Sequence, residues 1–337
     1  MKYLEEYFIK RFLKNLPYDP ISILNENKQT DRSLLTGYKN IVTTIQQVSQ
    51  KSLVRENHQG FYFAFADDKR LNGTATIYKN TDIIVVNYGG ITKIHQYFRA
   101  ACNSSLFPWV TNRQLLCDFL SGLAFDFLIS HEFGHHYNGH LLFRKPQKAN
   151  LISRMDMLGT TTIPYESALE RKAIEMDADS YASTNTFLKQ LRNPTVLKMG
   201  IENGLFRDQY DQLRYWIFAT HSFFLLFAAQ MVDINSIHYE NYYNRTLRQA
   251  HNLDISANLI DIFSPHLKTN FNQIMDEIFQ LTETTFHNIH NSDSDERIRE
   301  VLSVTDKRVI EHIKEVDNYY YKVLKPKLIP FARHKLA

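Results

Sequence analysis

The sequence predicts an α+β fold that is predominantly helical, with a small N-terminal β-sheet packed on a buried helix. Three observations predict it. Apolar residues recur at helical spacing over most of the chain. Between Gly60 and Tyr88 the period changes to alternation and short apolar runs. The run Leu115 to Ile129 is apolar nearly all round, which marks a helix inside the molecule.

In chain order, residues 2–16 place Leu4, Tyr7, Phe8, Phe12 and Leu16 at helical spacing, and Pro17 and Pro20 end that helix. Asp31 is placed to cap a second helix running to Val48. Phe61, Phe63 and Phe65 alternate with Tyr62, Ala64 and Ala66 and predict a strand. Asn72-Gly73 reads as a turn, Thr74–Tyr78 and Asp82–Tyr88 as two more strands, and Gly89-Gly90 as the end of the sheet. A helix follows over 91–101, then the buried helix, which stops at Asn138-Gly139. The polar stretch 143–164 carries Arg144, Lys145, Lys148 and Arg154 and is too long for a simple connection. Tyr165–Leu191 reads as one helix. Further helices are expected over 209–233, about 240–251, 270–288, 294–304 and 306–324. With no repeat and no linker, the expectation is a single domain over 1–337. It divides into helices plus sheet (1–110), a metal-binding core (111–190) and a helical C-terminal part (191–337).

Composition narrows the function. With 39 basic against 36 acidic residues, nucleic acid is not expected as the main partner. Two cysteines, Cys102 and Cys117, imply no disulfide framework and fit a reducing compartment. The N-terminus lacks the apolar core of a signal peptide. The most membrane-like run, Tyr215 to Val232, holds His221 and Gln230 and reads as a core helix. A cytoplasmic protein with no integral membrane association is the expectation.

The chemistry is concentrated in His131-Glu132-Phe133-Gly134-His135. Residues four apart lie one above the other on a helix, so both imidazoles aim at one point. Glu132 borders that face without joining it. Two neutral nitrogen ligands with a carboxylate beside them are what a hydrolytic zinc site needs. Such a site wants a third protein ligand. The next helix offers Glu175-Met176-Asp177-Ala178-Asp179, with Glu175 as ligand and Asp179 as acceptor for the free ring nitrogen of a ligand histidine. Ala178 is small enough to let the two helices approach. Glu166 and Glu170 compete for the third ligand position, and an acidic solvated face is the bland alternative for the whole segment. His136 and His140 read as surface histidines, and His221 as a satisfied core residue.

The pair of motifs, across about 128–185, resembles the gluzincin zinc metallopeptidases. The similarity is greatest to the Lit-type phage-exclusion peptidases and to soluble relatives of the CAAX-prenyl-protease and heat-shock membrane protease group. That resemblance implies a zincin-like core, one Zn2+ per chain, and an endopeptidase acting on a protein or peptide substrate with Glu132 as general base. Both groups carry a later His…Glu-Arg-Ile element. Its counterpart here is His290 with Glu296-Arg297-Ile298, although the usual Pro is absent and the spacing is one residue longer. His290 and Arg297 are thereby candidates for stabilising the transition state, as are Tyr181 and His221. A strand edge near Ile83–Tyr88 would hold an extended substrate. The competing reading is a non-catalytic zinc-stabilised interaction module or toxin-like regulator, which would have no use for Glu132.

Overall fold

A computed structural model describes residues 32–49, 60–78, 81–104, 106–143, 153–156, 165–229, 245–290 and 307–336. The expected helices over 2–16 and 294–304, and the capping role of Asp31, lie outside these residues. Described in order are α1 (Arg32–Ser49), β1 (Gly60–Ala66), β2 (Gly73–Tyr78), β3 (Thr81–Asn87), α2 (Tyr88–Cys102) and α3 (Arg113–Tyr137). There follow α4 (His140–Phe143), β4 (Ser153–Asp156), α5 (Tyr165–Leu191), α6 (Pro194–Glu202), α7 (Gln209–Ala228) and α8 (Arg245–Phe263). The last are α9 (Lys268–His290), α10 (Lys307–Tyr319), a π-helical turn at Tyr320–Leu324 and α11 (Lys325–Leu328). The molecule is mostly helical with a small sheet, as the periodicity predicts.

The sheet runs in the order β1-β3-β2-β4. β1 is parallel to β3, and β2 is antiparallel to both β3 and β4. β3 is therefore interior, and the substrate edge expected near Ile83–Tyr88 is corrected: that strand is paired on both sides. All seven of its residues are buried, which is why it reads as a continuous apolar run rather than an alternation. β4 comes from the stretch read only as a long polar loop. Its four-residue sequence, Ser-Arg-Met-Asp, carries no strand pattern, and pairing with β2 alone makes it a strand.

Two glycine readings also change. Gly89 and Gly90 lie inside the first turn of α2 rather than closing the sheet, and the Gly89 N–H donates to Asp68 O at 2.8 Å. Gly73 is the first residue of β2, not part of a hairpin turn. α6 has no counterpart in the sequence reading, although Asn193 caps it and Pro194 opens it. α8 runs on to Phe263, well past the expected end near 251.

α3 is the axis of the structure. Asn112 caps it by accepting from the Leu115 N–H, and nineteen of its residues are buried. It packs against α5, α2, α7 and β2. Phe125, Phe127, Leu128 and Phe133 lie in the main core with Phe63, Phe98, Trp216 and Phe218. α7 is buried on all sides, with Phe223 and Phe224 against Phe127. Among the described residues no helix is long and apolar enough to cross a membrane. A smaller core, with Ala75, Leu141, Ile174, Leu247 and Tyr320, closes the other side of the α3–α5 pair.

Candidate metal centre

Close approach of α3 and α5 builds the site. A Cβ on Gly134 would stand 3.1 Å from Ala178 Cα and 3.2 Å from Tyr181 Cβ. Gly134 and Ala178 are thus the small pair that lets the two helices touch, as expected for Ala178. Contact at this level sets Glu175 opposite His131 and His135.

Three candidate ligand atoms converge. His131 Nε2 and His135 Nε2 are 3.1 Å apart. Glu175 Oε2 is 3.4 Å from His131 Nε2, and Glu175 Oε1 is 3.9 Å from His135 Nε2. Ligands held by one tetrahedral zinc at about 2.0–2.1 Å stand about 3.3–3.4 Å from each other. The group needs only small adjustments to close on such an ion. His131 and His135 are completely buried and Glu175 nearly so. Glu175 Oε1 has no hydrogen-bond partner, a costly arrangement for a buried oxygen and one that a cation relieves.

Hydrogen bonds hold each ring so that, in its neutral form, the converging nitrogen is the one with the lone pair. His131 Nδ1–H donates to Asp179 Oδ1 at 2.7 Å, the role expected for Asp179. On the other ligand the chain is longer. His135 Nδ1 lies 3.0 Å from His140 Nδ1, and His140 Nε2 lies 2.8 Å from Asp177 Oδ2. A carboxylate only accepts, so His140 donates from Nε2 and accepts at Nδ1 from His135. Asp177 also accepts from Asn138 Nδ2 at 2.7 Å and from the Tyr320 hydroxyl in the π-helical turn. Burial and the Asp177 charge both push the Tyr320 hydroxyl pKa up, which keeps it a donor.

His136 and His140 are therefore corrected from surface to buried residues. Gly139 adopts φ 86°, a left-handed conformation that ends α3 and turns the chain so that His140 opens α4 beside His135. His136 turns the other way: its Nδ1 is 3.2 Å from Asp82 Oδ1 and its Nε2 is 3.2 Å from Ile83 O. The sequence signal was present in the His-x-x-x-His pair, but the glycine was read as a break rather than a corner.

Arg248, from α8, was not foreseen. It is buried, donates from Nη1 to Asp179 Oδ2 at 2.6 Å, and from Nη2 to Glu175 Oε2 at 3.1 Å. It holds both carboxylates in place. Of the buried carboxylates, Glu175 and Asp179 pair with Arg248, and Asp177 accepts from His140 and Asn138. Burial opposes a charge on His131, but Asp179 and Glu175 outweigh it and raise its pKa to about 9. His135 is pushed well below the usual range, first by burial and then by His131. Without metal one proton thus stays on His131, at the point where the three ligand atoms meet.

Glu132 is completely buried and is not one of the converging ligands. Its carboxylate lies against β2: a Cβ on Gly73 would stand 2.5 Å from Glu132 Oε1. Gly73 is glycine because Glu132 fills the space a side chain would take.

The other described candidates are not among the converging ligands. Glu170 is half-buried on α5 and is not one of the converging ligands, and the side chain of Glu166 lies outside the described residues, as does Arg297. His290 sits at the end of α9 with its ring stacked on Phe286 at 4.2 Å. His221 is a satisfied core residue, as expected, with Gln249 and Glu283 as partners. Tyr181 stacks on Tyr137. No family model, curated protein or solved structure matches the chain.

Proposed function

We propose that this chain is a zinc-dependent endopeptidase of gluzincin type, hydrolysing peptide bonds of a protein or peptide substrate. One observation carries the reading. Three buried ligand atoms from His131, His135 and Glu175 meet at one point, and Glu132, the residue after His131, is buried on the same helix with its carboxylate against Gly73 of β2. Three protein ligands leave a coordination position open, whereas structural zinc sites usually have four. When bound, zinc acidifies water towards a pKa of about 7 and polarises a carbonyl. Glu132 would be the group that takes the proton from the attacking water and hands it to the leaving amine. Asp179 and the His140–Asp177 pair hold the two ligand imidazoles in the tautomer that leaves Nε2 free. Arg248 holds the Glu175 and Asp179 carboxylates in orientation.

The complete burial of His131, Glu132 and His135 favours a second reading, a closed zinc site that stabilises an interaction module. Glu132→Gln separates the two. It keeps shape and hydrogen bonding but cannot accept a proton. The expected outcome is a folded variant with one zinc per chain and proteolysis lowered by at least the roughly 10²–10⁴-fold of a positioned general base. The measurement is mass spectrometry of new termini in a protein mixture. Identical terminus profiles from wild type and variant, both holding zinc, would leave the structural reading standing.

A further inference from the structure

A second group of metal-ligating side chains lies on the same axial helix, far from the first. Cys117 and Asp118 are neighbours in the first turns of α3, and His95 faces them from α2. One ligand atom from each falls within 4.8 Å of the others. Cys117 lies fourteen residues before His131, about 21 Å along a helix that rises 1.5 Å per residue. The two groups cannot share an ion.

The surroundings are those of a binding site. A cavity of about 570 Å³ opens here between α1, α2 and α3, with Tyr38, His95, Arg99, Asp118 and Ser121 in its wall. His95 Nδ1 is buried without a hydrogen-bond partner, so an imidazole lone pair or N–H is left unsatisfied. The donor set is a thiol, an imidazole and a carboxylate. Those are ligands of a borderline-soft divalent cation, and magnesium or calcium would instead call for an all-oxygen set. The graded exposure fits an exchangeable ion: Cys117 is buried, His95 half-buried and Asp118 exposed. Burial raises the Cys117 thiol pKa. A cation is what draws the proton off, and that proton leaves to solvent. Thiolate and carboxylate together then offset the charge of the ion beside Arg99.

We propose that His95, Cys117 and Asp118 form a second, exchangeable site for a divalent cation of zinc's class, tying α2 to α3 beside this cavity, whose wall includes His95 and Asp118. Three protein ligands leave room for water or a small ligand from the cavity at the ion.

Cobalt(II) is the probe. The His131–His135–Glu175 group contains no sulfur, so any thiolate-to-cobalt charge-transfer absorption reports the second site alone. The wild-type chain should develop that band on titration and should take up two cobalt ions, the second one removed first by a competing chelator. Cys117→Ser should abolish the band and bring the stoichiometry to one. Asp118→Asn, a change at an exposed side chain that leaves folding intact, should weaken the second ion by at least the roughly 10–100-fold that losing a supporting partner costs. Cys102→Ser should keep the band, because that other thiol is not part of the group. A wild-type chain that binds a single cobalt without the band, or an Asp118→Asn chain that binds the second ion as tightly as wild type, would overturn the proposal. Failure of the peptidase reading is seen separately, in the proteolysis of Glu132→Gln, and leaves this band untouched.

Discussion

At the scale of single residues the site is defined by where protons sit. In the metal-free chain His131 carries a proton up to about pH 9, held there by Asp179 and Glu175 against the cost of burial. A metal ion must displace it. Apparent zinc affinity, measured against a competing chelator, should therefore rise about tenfold per pH unit between neutrality and pH 9 and then level off. The same raised pKa stabilises the metal-free fold. That contribution is complete below the unfolded histidine value of about 6.5 and is lost as pH rises through 9, so the metal-free chain should weaken over that window. A flat affinity profile would mean that His131 is already neutral. The partners of the two rings should be of equal rank. Asp179→Asn removes the acceptor of His131, and His140→Ala that of His135. Each should cost about 10–100-fold in zinc affinity or activity. An unchanged His140→Ala variant would reduce the His135–His140–Asp177 chain to packing.

At the scale of elements, the features legible in the sequence are those a single helix or strand encodes by itself. α3 and α5 were legible because the ligand spacing and the apolar surround are both local. β3 was legible as a strand, but its interior position was not, since strand order depends on partners distant in sequence. Arg248 gave no signal at all: one arginine in a helix becomes a clamp only when α8 packs on α5. His140 was visible but misassigned, because a glycine after a helix says that the chain turns and not where it turns to. Gly73 lies between these cases. It is the element-level contact through which β2 bears on the chemistry, and Gly73→Ala tests it. The new methyl would stand 2.5 Å from Glu132 Oε1 and 2.8 Å from its Cδ and Cγ, all side-chain atoms, so the Glu132 side chain is what must shift. The variant should fold and keep its zinc, while proteolysis falls towards the level of Glu132→Gln. Loss of zinc with loss of activity would show instead that β2 itself had shifted.

At the scale of the whole molecule, the sheet, the ligand helix and the segment 329–336 are joined at one buried point. Arg333 forms an ion pair with Asp82 of β3, and its backbone N–H donates to Tyr137 O at 2.8 Å, at the end of α3. Its guanidinium lies 5.2 Å from the Tyr137 ring centroid. Asp82 also faces His136, the residue after His135, and burial pushes the His136 pKa down. Phe331 and Ala332 pack on Gly139, at the corner that delivers His140. The end of the described chain thus braces the corner on which one ligand's support depends. Asp82 is 1% exposed and Arg333 7%. Removing one partner of such a pair leaves a buried charge uncompensated and typically costs about 3–5 kcal/mol, against about 0–1 for an exposed pair. Arg333→Met should accordingly lower the stability of the zinc-loaded chain by about 3 kcal/mol in denaturant unfolding. Adding Asp82→Asn should recover much of that loss, because the orphaned charge goes with it. A loss below about 1 kcal/mol, or a double variant no better than the single, would mean that the 329–336 segment rests on the corner without holding it.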